Sequence, residues 1–262
     1  MDGADDRGWS AADLIRVVCV VSVQSDWVGQ RPSRACGSWQ TRRGRAVRWR
    51  TEAPVLTVAA RAAVVESHLG SGALACPGCG GRLVPWGHAR VRLVRGLGGG
   101  ERVRPRRSRC AGCRATHVLL PVFCLLRRAY SVTVIGAALA AKAALGLGHR
   151  RIAARLGVPS GSVRGWLRRF AGRAEAVRVF FTGLAVATGV DVSVPGPAGS
   201  VVADAVAAVG VLFTAARRRF AGSGLVGAVT GWEVASAASG GRLLSPGWPP
   251  TGVGLVGNTS SP

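Results

Sequence analysis

The chain has 262 residues, enough for one large domain or two small ones with a buried core. Its 35 basic residues against 12 acidic ones leave a formal net charge of +23, the balance expected of a polyanion-binding protein. Seven cysteines, four of them in two C-x-x-C pairs, argue against a disulfide framework and for a metal site in a reducing compartment.

The charge is concentrated. Residues 76–175 hold 20 Arg plus Lys against only Glu101 and Glu175, a net of +18, whereas residues 1–75 carry +3 and residues 176–262 carry +2. Of the 35 basic residues 34 are Arg, with Lys142 the single lysine, as a GC-rich coding sequence would give. That bias explains Arg in place of Lys. It does not explain nearly neutral flanks.

Residues 1–65 show no clear period; Arg, Trp and Gly recur irregularly, as in Arg42-Arg43-Gly44-Arg45. Such text specifies no element, so a disordered N-terminal extension is expected, with a short helix or strand conceivable over Val55–His68. The apolar run Leu14–Val23 follows Asp2, Asp5, Asp6 and Asp13, the wrong sign for a signal peptide, and Arg16 interrupts it. No run reaches the roughly 18 uninterrupted apolar residues of a membrane span. The expectation is a cytoplasmic, nucleoid-associated chain without a membrane partner.

Residues 66–125 form the expected zinc ribbon. Cys76-Pro77-Gly78-Cys79 and Cys110-Ala111-Gly112-Cys113 supply four thiolates, the number a structural zinc ion takes. Between them, Leu83–Trp86, Ala89–Val94 and Arg102–Arg104 alternate as strands, with Gly96, Gly98, Gly99 and Gly100 at the turn. Four cysteines already fill a tetrahedral site, so His88 and His117 read as structural or surface residues. Cys124, in Leu119-Leu120-Pro121-Val122-Phe123-Cys124, reads as a small core residue.

Residues 126–175 read as a helix-turn-helix. Ser131 can cap a helix from Val132 to about Leu145, which Gly146 and Gly148 end. A second helix spans about His149 to Leu156, and Gly157 takes the left-handed turn with Val158 in the corner. Pro159 suits the first turn of a third helix, whose Val163, Trp166, Leu167 and Phe170 face inward. Ser160, Ser162, Arg164, Arg168 and Arg169 then face out, where the start of a helix can meet base edges in a major groove. Arg150, Arg151 and Arg155 on the preceding helix suit phosphates. Beyond lie helices over 176–245, including Val201–Phe220 and Leu225–Ala238, and a loose tail at 246–262. The helices could serve dimerisation or complete the core before them.

Three features in order carry a resemblance: the paired cysteines, the segment Thr116-His117-Val118-Leu119-Leu120-Pro121, and a helix-turn-helix with Ile152-Ala153 and Trp166-Leu167-Arg168-Arg169. Together they resemble the N-terminal part of bacterial transposases, in a zinc-ribbon and helix-turn-helix family of high-GC bacteria. The resemblance implies binding of terminal DNA by both units, with cutting by a separate RNase H-like domain that uses a carboxylate triad and magnesium. From the end of the helix-turn-helix onward only Glu175, Asp191, Asp204 and Glu233 are available, in text that reads as short helices without alternating strands.

The expectation is an α+β chain, a small β zinc ribbon followed by a mainly α helix-turn-helix domain and further helices. It would bind double-stranded DNA with structural Zn2+ and without catalysis, as a regulator or transposase derivative, with room for a homodimer. An active transposase with an unrecognised carboxylate site and a protein-interaction adaptor are the rival classes.

Overall fold

The computed structural model describes residues 55–193, 195–219 and 229–249. Among them are six strands followed by a helical array, a mixed α+β architecture. The four-stranded sheet has the order β1-β6-β5-β2, from strands β1 (Val55–Val58), β2 (Leu83–His88), β5 (Arg106–Cys110) and β6 (Thr116–Pro121). Strand β1 runs parallel to β6, and the other two pairings are antiparallel. Strands β3 (Arg92–Gly96) and β4 (Gly99–Val103) form a separate hairpin inserted between the two cysteine pairs.

Two small cores belong to the sheet. Helix α1 (Ala62–Ser71) buries Val65 and Leu69 with Val58, Leu83 and Leu119. The hairpin lays Val94 and Val103 on Leu120 and Cys124. Its open edge is tied to the helical half, because Arg95 N donates to Ala129 O (2.8 Å) and Ser131 N to Arg95 O (2.9 Å).

Residues 55–65, placed by the sequence in the N-terminal extension with a short helix or strand allowed over Val55–His68, form β1 and the start of α1. The four residues of β1 are too few to carry a readable period, and their pairing partner lies about 60 residues later. Residues 1–54, with the basic run Arg42–Arg50, lie outside the described residues. Strand β5 also escaped the sequence reading. Arg-Arg-Ser-Arg-Cys has no apolar alternation, yet it lies centrally and buries Ser108 and Cys110 on one face.

The helical half comprises α2 (Val132–Leu145), α3 (His149–Leu156), α4 (Ser160–Ala171), α5 (Ala174–Ala187), α6 (Val201–Arg219) and α7 (Gly231–Ala238). Local chemistry sets the ends. Ser131 Oγ accepts from Val134 N at 3.3 Å, and Gly146 closes α2 at φ 63°. Gly157 (φ 62°) closes α3, and Val158 plugs the corner before α4. Pro159 stands just before α4 and caps it with its carbonyl, which accepts from Ser162 N at 2.9 Å.

One core runs through all six helices, with Ile135, Ile152, Val163, Phe170, Phe181 and Leu212 among its members. The C-terminal helices thus complete the core on which α3 and α4 rest. The loose tail expected from 246 is corrected for its first residues. Trp248 is buried against Phe180 and Phe181, and its carbonyl accepts from Arg173 Nη1 at 3.0 Å. A single aromatic anchors that segment, which no period announces. The helix expected over Leu225–Ala238 starts at Gly231, where Thr230 and Glu233 form a reciprocal capping box. Residues 220–228 and 250–262 lie outside the described residues. No described helix is long and apolar enough to cross a membrane.

Candidate metal centre and nucleic-acid interface

Each cysteine pair sits on a tight turn with the same hydrogen-bond pattern. In the first, Gly80 N donates to Cys76 O (2.8 Å) and Cys76 N to Gly81 O (2.8 Å). In the second, Arg114 N donates to Cys110 O (3.2 Å) and Cys110 N to Ala115 O (2.8 Å). The residue after each pair takes the left-handed conformation, Gly80 at φ 70° and Arg114 at φ 64°. Gly81 is tight for another reason. A Cβ there would lie 3.0 Å from Cys110 Sγ and 3.3 Å from Cys79 Sγ, in the space between the sulfurs.

The turns bring Cys76, Cys79, Cys110 and Cys113 together, with all four sulfurs within 4.8 Å of one another. Cys76 Sγ is 3.7 Å from Cys113 Sγ, and Cys79 Sγ is 3.4 Å from Cys110 Sγ. Disulfide sulfurs would be about 2.05 Å apart, and all four thiols are free. A tetrahedral ion with metal–sulfur bonds of about 2.3 Å needs sulfur–sulfur edges of about 3.8 Å, so the donor set fits an ion such as zinc.

The corners differ in environment. Cys76 and Cys110 are buried, whereas Cys79 and Cys113 are exposed. Burial pushes the Cys76 thiol up to about 12, against hydrogen bonds from the Gly78 and Cys79 backbone that favour its thiolate. The Gly81 amide, helped by the Cys110 side chain, holds Cys79 down at about 6. Cys113 receives the Ala115 amide, but the neighbouring Cys79 and Cys110 thiols raise it overall. Such amide donation to sulfur is what a metal-thiolate knuckle needs.

His117 reads from the sequence as a structural or surface residue, and it is not at the surface. It is buried on β6, and its Nε2 lies 3.4 Å from Cys76 Sγ. Its position four residues beyond Cys113 was the available signal. His88 is exposed, and Cys124 is fully buried.

The second candidate surface belongs to α3 and α4. Val163, Trp166 and Phe170 of α4 are buried, with Leu167 partly so, which turns Ser160, Arg164, Arg168 and Arg169 outward; Ser162 is half-exposed. Tyr130 braces the inner face, with its ring edge-on to Trp166 at 5.2 Å. Arg150, Arg151 and Arg155 of α3 are exposed. Arg169 is partly engaged, because its Nη1 donates to Gly165 O at 3.1 Å. Among the described residues the ion pairs are Arg106–Glu66 and Arg178–Glu175, and neither draws on these arginines.

Three of the four C-terminal carboxylates, all but Asp191, have structural partners among the described residues. Glu175 binds Arg178, Asp204 Oδ1 accepts from Ala198 N (2.6 Å), and Glu233 caps α7. Among the described residues, the cluster able to hold a metal is the four cysteines.

A family model for a domain of unknown function (DUF6431) matches residues 76–153. The match spans both cysteine pairs and α2 and ends within α3, short of α4. No curated protein and no solved structure matches the chain.

Proposed function

We propose that this is a zinc-stabilised, sequence-specific DNA-binding protein that reads duplex DNA with α4, a regulator or transposase derivative without chemistry of its own. One observation carries the reading. The exposed faces of α3 and α4 hold Arg150, Arg151, Arg155, Arg164 and Arg168, while the opposite faces are locked into the core. Arg164 and Arg168, one turn apart on α4, suit bidentate pairing with guanine edges in a major groove. The α3 arginines suit flanking phosphates.

Zinc on Cys76, Cys79, Cys110 and Cys113 is the metal this reading requires. It clamps the turn after α1 to the β5–β6 turn and so holds the sheet under the hairpin that braces α2. Its role is structural, since four protein sulfurs leave no open position for a substrate. Glu175, Asp204 and Glu233 are engaged in structural contacts, and no part of this reading calls on them for chemistry. A cytoplasmic, nucleoid-bound location follows from the partner.

The test is titration of the full chain with mixed-sequence duplex DNA across a range of salt. Expected is zinc-dependent binding that weakens steeply with salt, at a log–log slope of about −0.9 per phosphate contacted. Salt-independent or undetectable binding by zinc-loaded protein would remove the reading.

A further inference from the structure

The four sulfurs are not served alike. Cys79 and Cys113 face solvent, so water can solvate their charge when an ion is bound. Cys76 and Cys110 are buried, to 3 % and 0 % exposure, and cannot be reached in that way; Cys76 takes hydrogen bonds from the Gly78 and Cys79 backbone. A buried thiolate needs hydrogen-bond donors from the protein, because an unpaired buried charge is strongly unfavourable. Four thiolates on one dication also leave the centre formally anionic, which makes the need greater.

Beyond those amides and the other cysteines, the side chain that meets the Cys76 corner is His117. It is 1 % exposed, and its Nε2 stands 3.4 Å from Cys76 Sγ. Strand pairing fixes its place, with His117 directly opposite Ser108 in the β5–β6 register. Two roles are open to a histidine so close to a metal-binding thiol, ligand or donor. The set of donor atoms within 4.8 Å of one another comprises the four sulfurs and leaves the imidazole out. The ring therefore lies outside the tetrahedron, behind Cys76.

We propose that His117 is a positioning residue of the metal centre: its Nε2–H donates a hydrogen bond to the Cys76 sulfur and holds that thiolate on the ion. This rests on the zinc reading above. Neutral imidazole carries one N–H and one acceptor nitrogen, so the proposal fixes the tautomer as Nε2–H. Donors behind a metal ligand set its orientation and electron density, and their loss costs about 10–100-fold in metal affinity.

The experiment compares zinc affinity, by chelator competition on the full chain, for wild type, His117→Phe and His117→Gln. Phenylalanine keeps a buried ring without a donor, and glutamine restores an N–H at similar reach. Expected is a loss of about 10–100-fold for His117→Phe with substantial recovery in His117→Gln. In cobalt-substituted protein, the thiolate-to-metal charge-transfer band should move to lower energy in His117→Phe alone. A packing role would weaken both variants or neither and leave the band in place, which would overturn the proposal.

Cadmium-113-substituted wild type provides a readout independent of how the variants fold. A coupling between the metal and the imidazole Hε2 through the N–H···S bond supports the assignment. An Nε2 without a proton, or one bonded directly to cadmium, contradicts it. Wild type that binds no metal at all would overturn the zinc reading together with it, whereas unchanged affinity in both variants would overturn this inference alone.

Discussion

Trp232 of α7 lies so close against Gly136 of α2 that a Cβ at position 136 would fall 2.2 Å from its indole carbons. Glycine inside a helix costs about 1 kcal/mol relative to alanine, so on propensity alone Gly136→Ala would stabilise α2. The indole reverses the sign. Gly136→Ala should destabilise the protein by roughly 1–3 kcal/mol in urea unfolding, and should become neutral or stabilising in a Trp232→Ala background. Additive effects would show that the α2–α7 contact does not form.

That contact shows what the sequence could and could not disclose. Helices α2 and α3 were legible to the residue, because Ser131, Gly146 and Gly157 mark their ends by local chemistry. The cysteine spacing equally named the four residues that meet. What escaped or stayed undecided depends on partners distant in the chain. Strand β1 needs β6, Trp248 needs Phe180 and Phe181, and His117 acquires its meaning only when the sheet sets it beside Cys76. An apolar C-terminal helix likewise reads the same whether it packs on its own chain or on a second copy.

The two cysteine turns carry different residues at their left-handed position, Gly80 in the first and Arg114 in the second. A side chain there costs about 1–2 kcal/mol. Gly80→Ala should lower the stability of the zinc-loaded protein by that amount, whereas Arg114→Gly should leave it unchanged or slightly higher. Equal losses from both changes would mean that the two turns are not equivalent.

Arginines on α3 and α4 should separate by role. Arg164→Ala should relax preference by roughly 1–3 kcal/mol at one base position. Arg150→Ala should weaken all sequences alike and reduce the salt slope by about 0.9. Arg169→Ala should matter less than Arg168→Ala, since its guanidinium also serves the Gly165 carbonyl. Binding measured on a site and its single-base variants distinguishes these outcomes, and identical behaviour of Arg164 and Arg150 would contradict the assignment of α4.

Cys124 is fully buried, and burial pushes its thiol up to about 11. At pH 8 it stays protonated and inaccessible, so its alkylation should track global unfolding. Peptide mapping of zinc-loaded protein exposed to iodoacetamide checks this. Modification of Cys124 under native conditions would show that the hairpin lifts from the Leu120–Cys124 core independently.

The central claim, that α4 reads duplex sequence from a zinc-held fold, is tested most directly by selecting binding sites from random duplex DNA. The comparison pairs wild type with an Arg164→Ala, Arg168→Ala protein of verified zinc content. Expected is an enriched, guanine-containing core for wild type that disappears in the variant, while weak salt-sensitive binding to any duplex persists. No enrichment by zinc-loaded wild type, or the same enriched core from both proteins, would contradict it.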